Sequence, residues 1–409
     1  MRPLRILIIV RKLLIGGSII NALNLAAFLR RRGHTIFIAS DSGPLAHQVA
    51  ERGLVLCHVP FTERCEPSLA TIWDLTRLIT KHKVDVIHSF ESTVPRAVEV
   101  YTAGCLGGRP VLISHMGNWL PPFYFPRIGP VTIAVPHLLN EAIEKGWPEG
   151  LLVLWSARIR TDETCSAEDV NQFLQEHGVD PKTFKLVSVN RLEPVMNERY
   201  LEFLIRACEK LWRSEDVSNI RLILVGDGPS RQALERVALE VQARVGWGKV
   251  VFTGEMPDPI PAYMAADVVI GRSSSLLRAM ALGKPCIMVG ENFSRLVSPE
   301  NIDELERLHY YNNVQEDPLA GEKLCQQILK LVRSPELRAE LGRFARQVVV
   351  ERHSIELGAK QIEGLYSTML TKYPPVFVQL YEIVKACYSV MSYRVQRWVL
   401  RRVANGYRR

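Results

Sequence analysis

The chain has 409 residues, 47% of them hydrophobic and 23% charged, which is enough apolar material for two domains of ordinary size, each with its own core. Its eight cysteines lie scattered, with no Cys-x-x-Cys pair and no histidine at ligand spacing, so neither a zinc site nor a disulfide framework is signalled, and reduced thiols in the cytosol are expected. The net charge is +8, but residues 372–409 hold eight Lys/Arg against the single acid Glu382, so the rest of the chain is almost neutral. This pattern argues against a nucleic-acid-binding globule and for a local basic appendage.

The N-terminal MRPLRILIIVRKLLIGG has a charged start and an apolar run. Arg11 and Lys12 interrupt that run and no cleavage site is evident, so a buried strand over Leu4–Val10 and a helix over Gly16–Arg32 fit better than a signal peptide. Further strands are predicted at Thr35–Ser40, Leu54–Val59, Val84–Ser89, Val111–His115 and Val131–Ala134, with helices at Leu69–His82, Pro95–Ala103 and His137–Lys145. The polar, acidic stretch Thr161–Asp180 breaks the pattern and is read as the boundary between domains 1–170 and 183–353. Strands then recur at Phe184–Asn190, Arg221–Gly226, Val250–Thr253, Val268–Gly271 and Pro285–Val289, again alternating with helical runs. Such alternation predicts an α/β fold of two Rossmann-like, doubly wound parallel-sheet domains.

Several stretches resemble the family-4-type retaining glycosyltransferases of the GT-B fold. Ala279-Met280-Ala281-Leu282-Gly283-Lys284-Pro285 is similar to the Ala-Met-Ala-x-Gly-x-Pro run beside their donor-sugar site. Ser188-Val189-Asn190-Arg191-Leu192 resembles the strand that ends in Gly-Arg-Leu there, and Gly226-Asp227-Gly228-Pro229 matches a recurrent turn of their second domain. Val84–Ser89 resembles an Asp-Val-Ile-His strand of the first. The resemblance spans about residues 4–370. It implies two domains facing a cleft, a closing helix over 354–371 that crosses back onto the first domain, and sugar transfer from a nucleotide-sugar donor to a lipid-linked or other glycan acceptor. No metal or other cofactor is implied.

Two departures qualify that expectation. The glutamates these enzymes carry seven residues apart correspond to Gly271 and Arg278, and the lysine that partners the diphosphate-binding arginine corresponds to Met196. An arginine cannot accept hydrogen bonds from ribose hydroxyls. Either the donor is held differently, with Arg278 on phosphate or a sugar acid, or the chain is a catalytically degenerate homologue retained as a binding or scaffolding subunit.

The candidate residues follow from the same stretches. Gly16 and Gly17 supply bare backbone and a helix N-terminus where a sugar or phosphate can approach, or else simply a strand-to-helix turn. Arg191 is the diphosphate arginine by resemblance, being permanently charged and bidentate toward phosphate; a surface ion pair is the alternative. Gly226, Asp227 and Gly228 shape the donor-side turn, and Arg272, Ser273, Ser274 and Ser275 open a helix whose amides suit an anion. His115 is the candidate for the sugar or leaving-group region, with His88 and Glu91 on the acceptor side, each histidine being otherwise structural. The aromatic, proline-rich segment 118–130 is either a buried plug or a membrane-facing lip. The tail 372–409 reads as a basic amphipathic helix for an anionic membrane surface, placing the protein in the cytoplasm, peripheral to the inner face; it has no apolar run near the roughly 20 residues needed to span.

Overall fold

Strand β1 (Arg5–Ile9) sets the pattern of the first sheet: Leu7 and Ile9 enter one hydrophobic cluster, while Ile6 and Ile8 enter another on the opposite face. A strand buried on both sides has no polar face, which is why it reads as a continuous apolar run. The computed structural model describes residues 2–406 except 15, 62–66, 91, 92, 118, 123, 196, 214–218 and 312–316, with side chains described up to residue 392.

The chain continues through α1 (Gly17–Arg31), β2 (Thr35–Ser40), α2 (Ala46–Glu51), β3 (Val55–His58), α3 (Leu69–His82), β4 (Val86–Ser89), α4 (Val94–Leu106), β5 (Val111–Gly117), β6 (Val131–Ile133), α5 (Pro136–Glu144) and β7 (Leu152–Leu154). These strands form one parallel sheet in the order β3-β2-β1-β4-β5-β6-β7. Winding reverses between β1 and β4, the point at which open α/β sheets leave a crevice beyond their carboxyl ends.

A second sheet follows, built from β8 (Phe184–Val189), β9 (Ile220–Val225), β10 (Val250–Gly254), β11 (Val268–Gly271), β12 (Cys286–Gly290) and β13 (Phe293–Leu296). Its order is β10-β9-β8-β11-β12-β13, parallel except for β13, which runs antiparallel to β12. Helices α6 (Ala167–Glu176), α7 (Glu198–Trp212), α8 (Arg231–Val245), α9 (Ile260–Ala265), α10 (Ser273–Ala281), α11 (Ile302–Arg307), α12 (Ala320–Arg333) and α13 (Pro335–Val348) belong to it, and a π-helical turn, Val349–His353, ends it. Here the winding reverses between β8 and β11.

Two compact units result: Met1–Ala157 with Ile355–Arg409, and Arg158–Ser354. The division falls ahead of Arg158, not within the acidic stretch where the boundary was expected. That stretch is folded: Ser166 and Asp169 cap α6 reciprocally, and Phe173 and Leu174 are buried, with α6 packed on α9. Polar composition there marks a solvated helix face and a capping box instead of a linker.

The last two helices, α14 (Ile355–Lys372) and α15 (Val376–Gly406), belong to the first unit. Trp155 Nε1 donates to the Gly358 carbonyl at 3.1 Å, and the Glu363 carboxylate meets Arg32 Nε at 2.8 Å and His34 Nε2 at 2.9 Å. In α15, Gln379, Glu382, Ile383 and Ala386 are buried, the helix packing along α4, while Phe377, Leu380, Tyr381, Val384, Tyr388 and Met391 are exposed on other positions of the same helix. So the first part of the expected tail is docked through one face. Segment 118–130 divides similarly, with Phe125 and Ile128 in the core and Trp119 71% exposed.

Candidate functional site

At the switch point of the second sheet, β8 and β11 lie side by side, and each ends in an arginine within three residues: Arg191 follows β8 and Arg272 follows β11. One side chain links the two ends. Asn197 Nδ2 donates to the Arg191 carbonyl at 2.5 Å, and Arg272 Nη2 donates to Asn197 Oδ1 at 3.1 Å. The Arg191 side chain is exposed, whereas Arg272 is only 4% exposed. Its guanidinium carbon lies 4.4 Å from the ring centroids of both Tyr200 and Tyr311, and its buried Nε has no hydrogen-bond partner among the described residues. Aromatic faces on both sides offset the loss of hydration of a buried cation.

Arg272, in extended conformation, is the N-cap of α10, so its guanidinium and the first amides of the helix share one end. Ser275 Oγ donates to the Arg272 carbonyl at 3.0 Å, and Ser273 stands in the left-handed region at φ 55. Ser274 is half-buried. Beside the loop that follows β8 runs the turn after β9. A Cβ at Gly226 would lie 1.8 Å from the Asn190 carbonyl oxygen and one at Gly228 2.4 Å from that of Leu192, so only glycine lets the two loops approach this closely. Asp227 Oδ1 accepts the Gly228 amide at 2.7 Å and Oδ2 accepts Arg231 at 2.8 Å; these contacts, the Gly228 amide first, hold its carboxyl below the ordinary aspartate range. Asp227 is thus occupied in holding its own turn.

Arg278 is the clearest departure from expectation. It pairs with Glu163 through Nε–Oε2 at 2.8 Å and Nη2–Oε1 at 3.2 Å, with Asp258 3.6 Å away. Burial works against its charge and Glu163 more than reverses this, leaving the guanidinium above its ordinary pKa. In the structure its guanidinium is occupied by this carboxylate. Nothing in the sequence signals it, since the partners are 115 positions apart and Glu163 sits in the stretch read as a break. Asn197 was missed for a related reason: a lone asparagine in a turn carries no pattern. Met196 and Glu91 lie outside the described residues.

In the first unit, Gly16 caps α1 in an extended conformation, φ −173, that any residue adopts, so what glycine supplies there is absence of a side chain. His88, expected on the acceptor side, is instead sealed in the core at 0% exposure, its Nδ1 2.9 Å from the Tyr366 hydroxyl. It sits at the end of a fully buried strand covered by α14, a position that apolar packing dictates. His115 is 4% exposed with Nδ1 2.8 Å from Thr132 Oγ1. Phe90 lies 4.8 Å from each imidazole. Burial, with His115 nearby, pushes the His88 pKa down to about 3, and burial pushes that of His115 down to about 4. Both are neutral at pH 7, so His115 can act on a sugar only as a neutral hydrogen-bonding group.

Comparison with known proteins agrees with this fold. A model for Glycosyltransferase Family 4 matches residues 15–145, and one for Glycosyl transferases group 1 matches residues 183–315. Together they span well over half of the chain, one match in each unit. The N-acetyl-alpha-D-glucosaminyl L-malate synthase of Bacillus anthracis is 22% identical over 392 residues, 87% of this chain and 95% of that protein. Among solved structures, a glycosyltransferase from Rickettsia africae superposes with a TM-score of 0.70 at 18% identity, covering 90% of this chain and 99% of its own. Anabaena HepE, in complex with UDP and glucose, gives 0.65 at 19% identity, covering 89% and 99%. These likenesses establish the fold, and the two family matches carry the rest: the chain belongs to the family-4-type glycosyltransferases, with the GT-B fold of two Rossmann-like parallel-sheet domains.

Proposed function

We propose that the chain transfers a sugar from a nucleotide-sugar donor to a lipid-linked or other glycan acceptor, with retention of configuration and without a bound metal. The observation that carries this reading is the pair of arginines at the carboxyl ends of β8 and β11, joined through Asn197, with Arg272 buried at the N-terminus of α10. Arginines and a helix N-terminus at the carboxyl ends of strands beside a switch point suit a diphosphate. In the proposed reaction the bond from the sugar C1 to the diphosphate oxygen breaks, the acceptor oxygen bonds C1 from the same face, and the acceptor's proton passes to the departing phosphate. Arg191 and Arg272 offset the charge that develops on the leaving group, and positioning of the acceptor supplies much of the remainder. Anabaena HepE holds UDP and glucose on the same fold, so UDP-sugars are the first donors to try.

Attachment to an anionic membrane surface is part of this proposal. It is supported by the exposed aliphatic and aromatic positions of α15, including Phe377 at 73% and Tyr388 at 69%, on a helix whose later sequence carries Arg394, Arg397, Arg401 and Arg402. Among the described residues no helix is long and apolar enough to cross a membrane.

The pairing of Arg278 with Glu163 favours one second reading, a degenerate subunit that binds without turnover. Incubation with UDP-, GDP- and ADP-sugars and a lipid-linked acceptor extract separates the two. Release of nucleoside diphosphate, with NMR of the product showing the donor's anomeric configuration, supports transfer; nucleotide binding with no release over hours supports the degenerate reading.

A further inference from the structure

The start of α10 is held by a strained corner that belongs to another part of the second unit. Ser273 donates its backbone N–H to the Tyr310 carbonyl at 2.6 Å, and both residues are left-handed, at φ 55 and 53. His309, just before, is left-handed as well, at φ 51. Left-handed conformations at non-glycine residues are strained and persist only where surrounding contacts impose them. The next residue, Tyr311, supplies one of the two rings that sandwich Arg272.

The corner closes the C-terminal end of α11, where the amides of His309, Tyr310 and Tyr311 donate to the carbonyls of Glu306, Leu305 and Leu308, and one carboxylate holds its buried ring. Glu306 Oε1 accepts the Tyr310 hydroxyl at 2.9 Å and lies 2.9 Å from His353 Nε2. Tyr310 is 1% exposed and His353 8%. Burial works against the Glu306 charge, but His353 and the Tyr310 hydroxyl more than compensate, leaving its carboxyl below the ordinary range. His353 ends the π-helical turn, and its carbonyl accepts the Ile159 amide at 2.9 Å, so the carboxylate ties the corner to the point where the chain enters and leaves the unit. π-Helical turns are rare and recur at functional sites.

We propose that Glu306 is a positioning residue for the donor site: through the Tyr310–Tyr311 corner it sets the first turn of α10 and the plane of the Arg272 guanidinium. The chemical class recognised is a nucleoside diphosphate, and the proposal rests on the donor-site reading above. Glu306 touches no substrate. It acts by fixing the Ser273 amide and the Tyr311 ring, so its loss degrades both donor binding and the stabilisation that Arg272 gives the departing diphosphate.

The test uses the full chain with Glu306→Gln, which keeps size and a hydrogen-bonding carbonyl, and Tyr310→Phe, which removes only the hydroxyl. Hydrogen exchange of the unliganded protein is expected to speed up at least tenfold at the amides of Ser273–Ser275 in both variants, with the α8 amides unchanged. Calorimetry with UDP, GDP and ADP is expected to show the nucleotide that binds wild type bound about tenfold more weakly by both variants, and turnover to show a raised KM together with a kcat lowered at least threefold. Exchange or binding unaltered in Glu306→Gln, while wild type binds nucleotide and Arg272→Ala does not, overturns the proposal alone. Absence of nucleotide binding by wild type overturns the donor-site reading and this proposal with it. A variant with equal loss of protection across the whole unit contradicts a local role, and Tyr310→Phe then decides whether the hydroxyl contact matters at all.

Discussion

Replacing Glu163 with alanine isolates the Arg278 guanidinium at the heart of the unusual feature of this chain. The two groups meet through two hydrogen bonds at 2.8 and 3.2 Å, with side-chain exposures of 22% for Arg278 and 11% for Glu163. Two unit charges about 4 Å apart attract by roughly 4 kcal/mol at an effective dielectric of 20. Removing one partner of a buried pair leaves the other charge poorly solvated, at a typical cost of about 3–5 kcal/mol. Asp258, 3.6 Å away and 62% exposed, retains some of the attraction, and Arg278 is not wholly buried, so about 2–3 kcal/mol is the expected loss. For a unit of about 200 residues this corresponds to a fall in Tm of about 5–10 °C. Differential scanning calorimetry of wild type, Glu163→Ala, Arg278→Leu and the double variant completes the cycle. We expect the double variant to recover most of the loss, with a coupling of about 2 kcal/mol. Single losses below about 0.5 kcal/mol that simply add would refute the claim that this pair stabilises the unit.

Gly226→Ala should destabilise the protein by more than about 3 kcal/mol, because its Cβ meets a carbonyl oxygen at 1.8 Å in a left-handed backbone, whereas Gly271→Ala, whose nearest neighbour is Ser275 Oγ at 3.4 Å, should stay within about 1 kcal/mol; thermal melts compare them. The two depressed histidines make stability fall on acidification. The unfolded chain takes up protons near the ordinary imidazole value of 6.5, whereas the folded one does so only near 3 and 4, so stability is complete above pH 6.5 and is lost progressively below it. The slope is about 1.4 kcal/mol per pH unit for each histidine, and melts of His88→Gln between about pH 7 and 4.5 should show it reduced by about half. Replacing Phe377, Tyr381 and Tyr388 together with serine should weaken binding to vesicles containing anionic lipid at least tenfold in sedimentation, without shifting Tm by more than about 2 °C, since these positions are exposed.

The two sheets were legible because their strands are buried on both faces and therefore read as unbroken runs such as Leu222–Val225, while glycine turns marked where each strand gives way to a helix. Gly226 and Gly228 stood out for a reason that the geometry makes explicit, the close passage of another backbone. The Arg191 and Arg272 positions were legible because each follows the end of a recognisable strand. Partners were not legible. Glu163 reaches Arg278 from 115 residues away, Asn197 joins two loops that only the sheet order brings together, and Glu306 acts on α10 through a corner formed by a different segment. Such contacts depend on tertiary register, which local patterning does not encode. His88 was misplaced because a histidine at the carboxyl end of a strand looks the same in sequence whether the next layer is solvent or, as here, Tyr366.

The most direct test of the donor-site account is calorimetric titration of the purified chain with UDP, GDP and ADP, repeated on Arg191→Ala and Arg272→Ala. The account predicts that one nucleotide series binds wild type and that each substitution weakens it by at least tenfold. A folded wild-type protein that binds none of them, or binding that survives both substitutions unchanged, would contradict it.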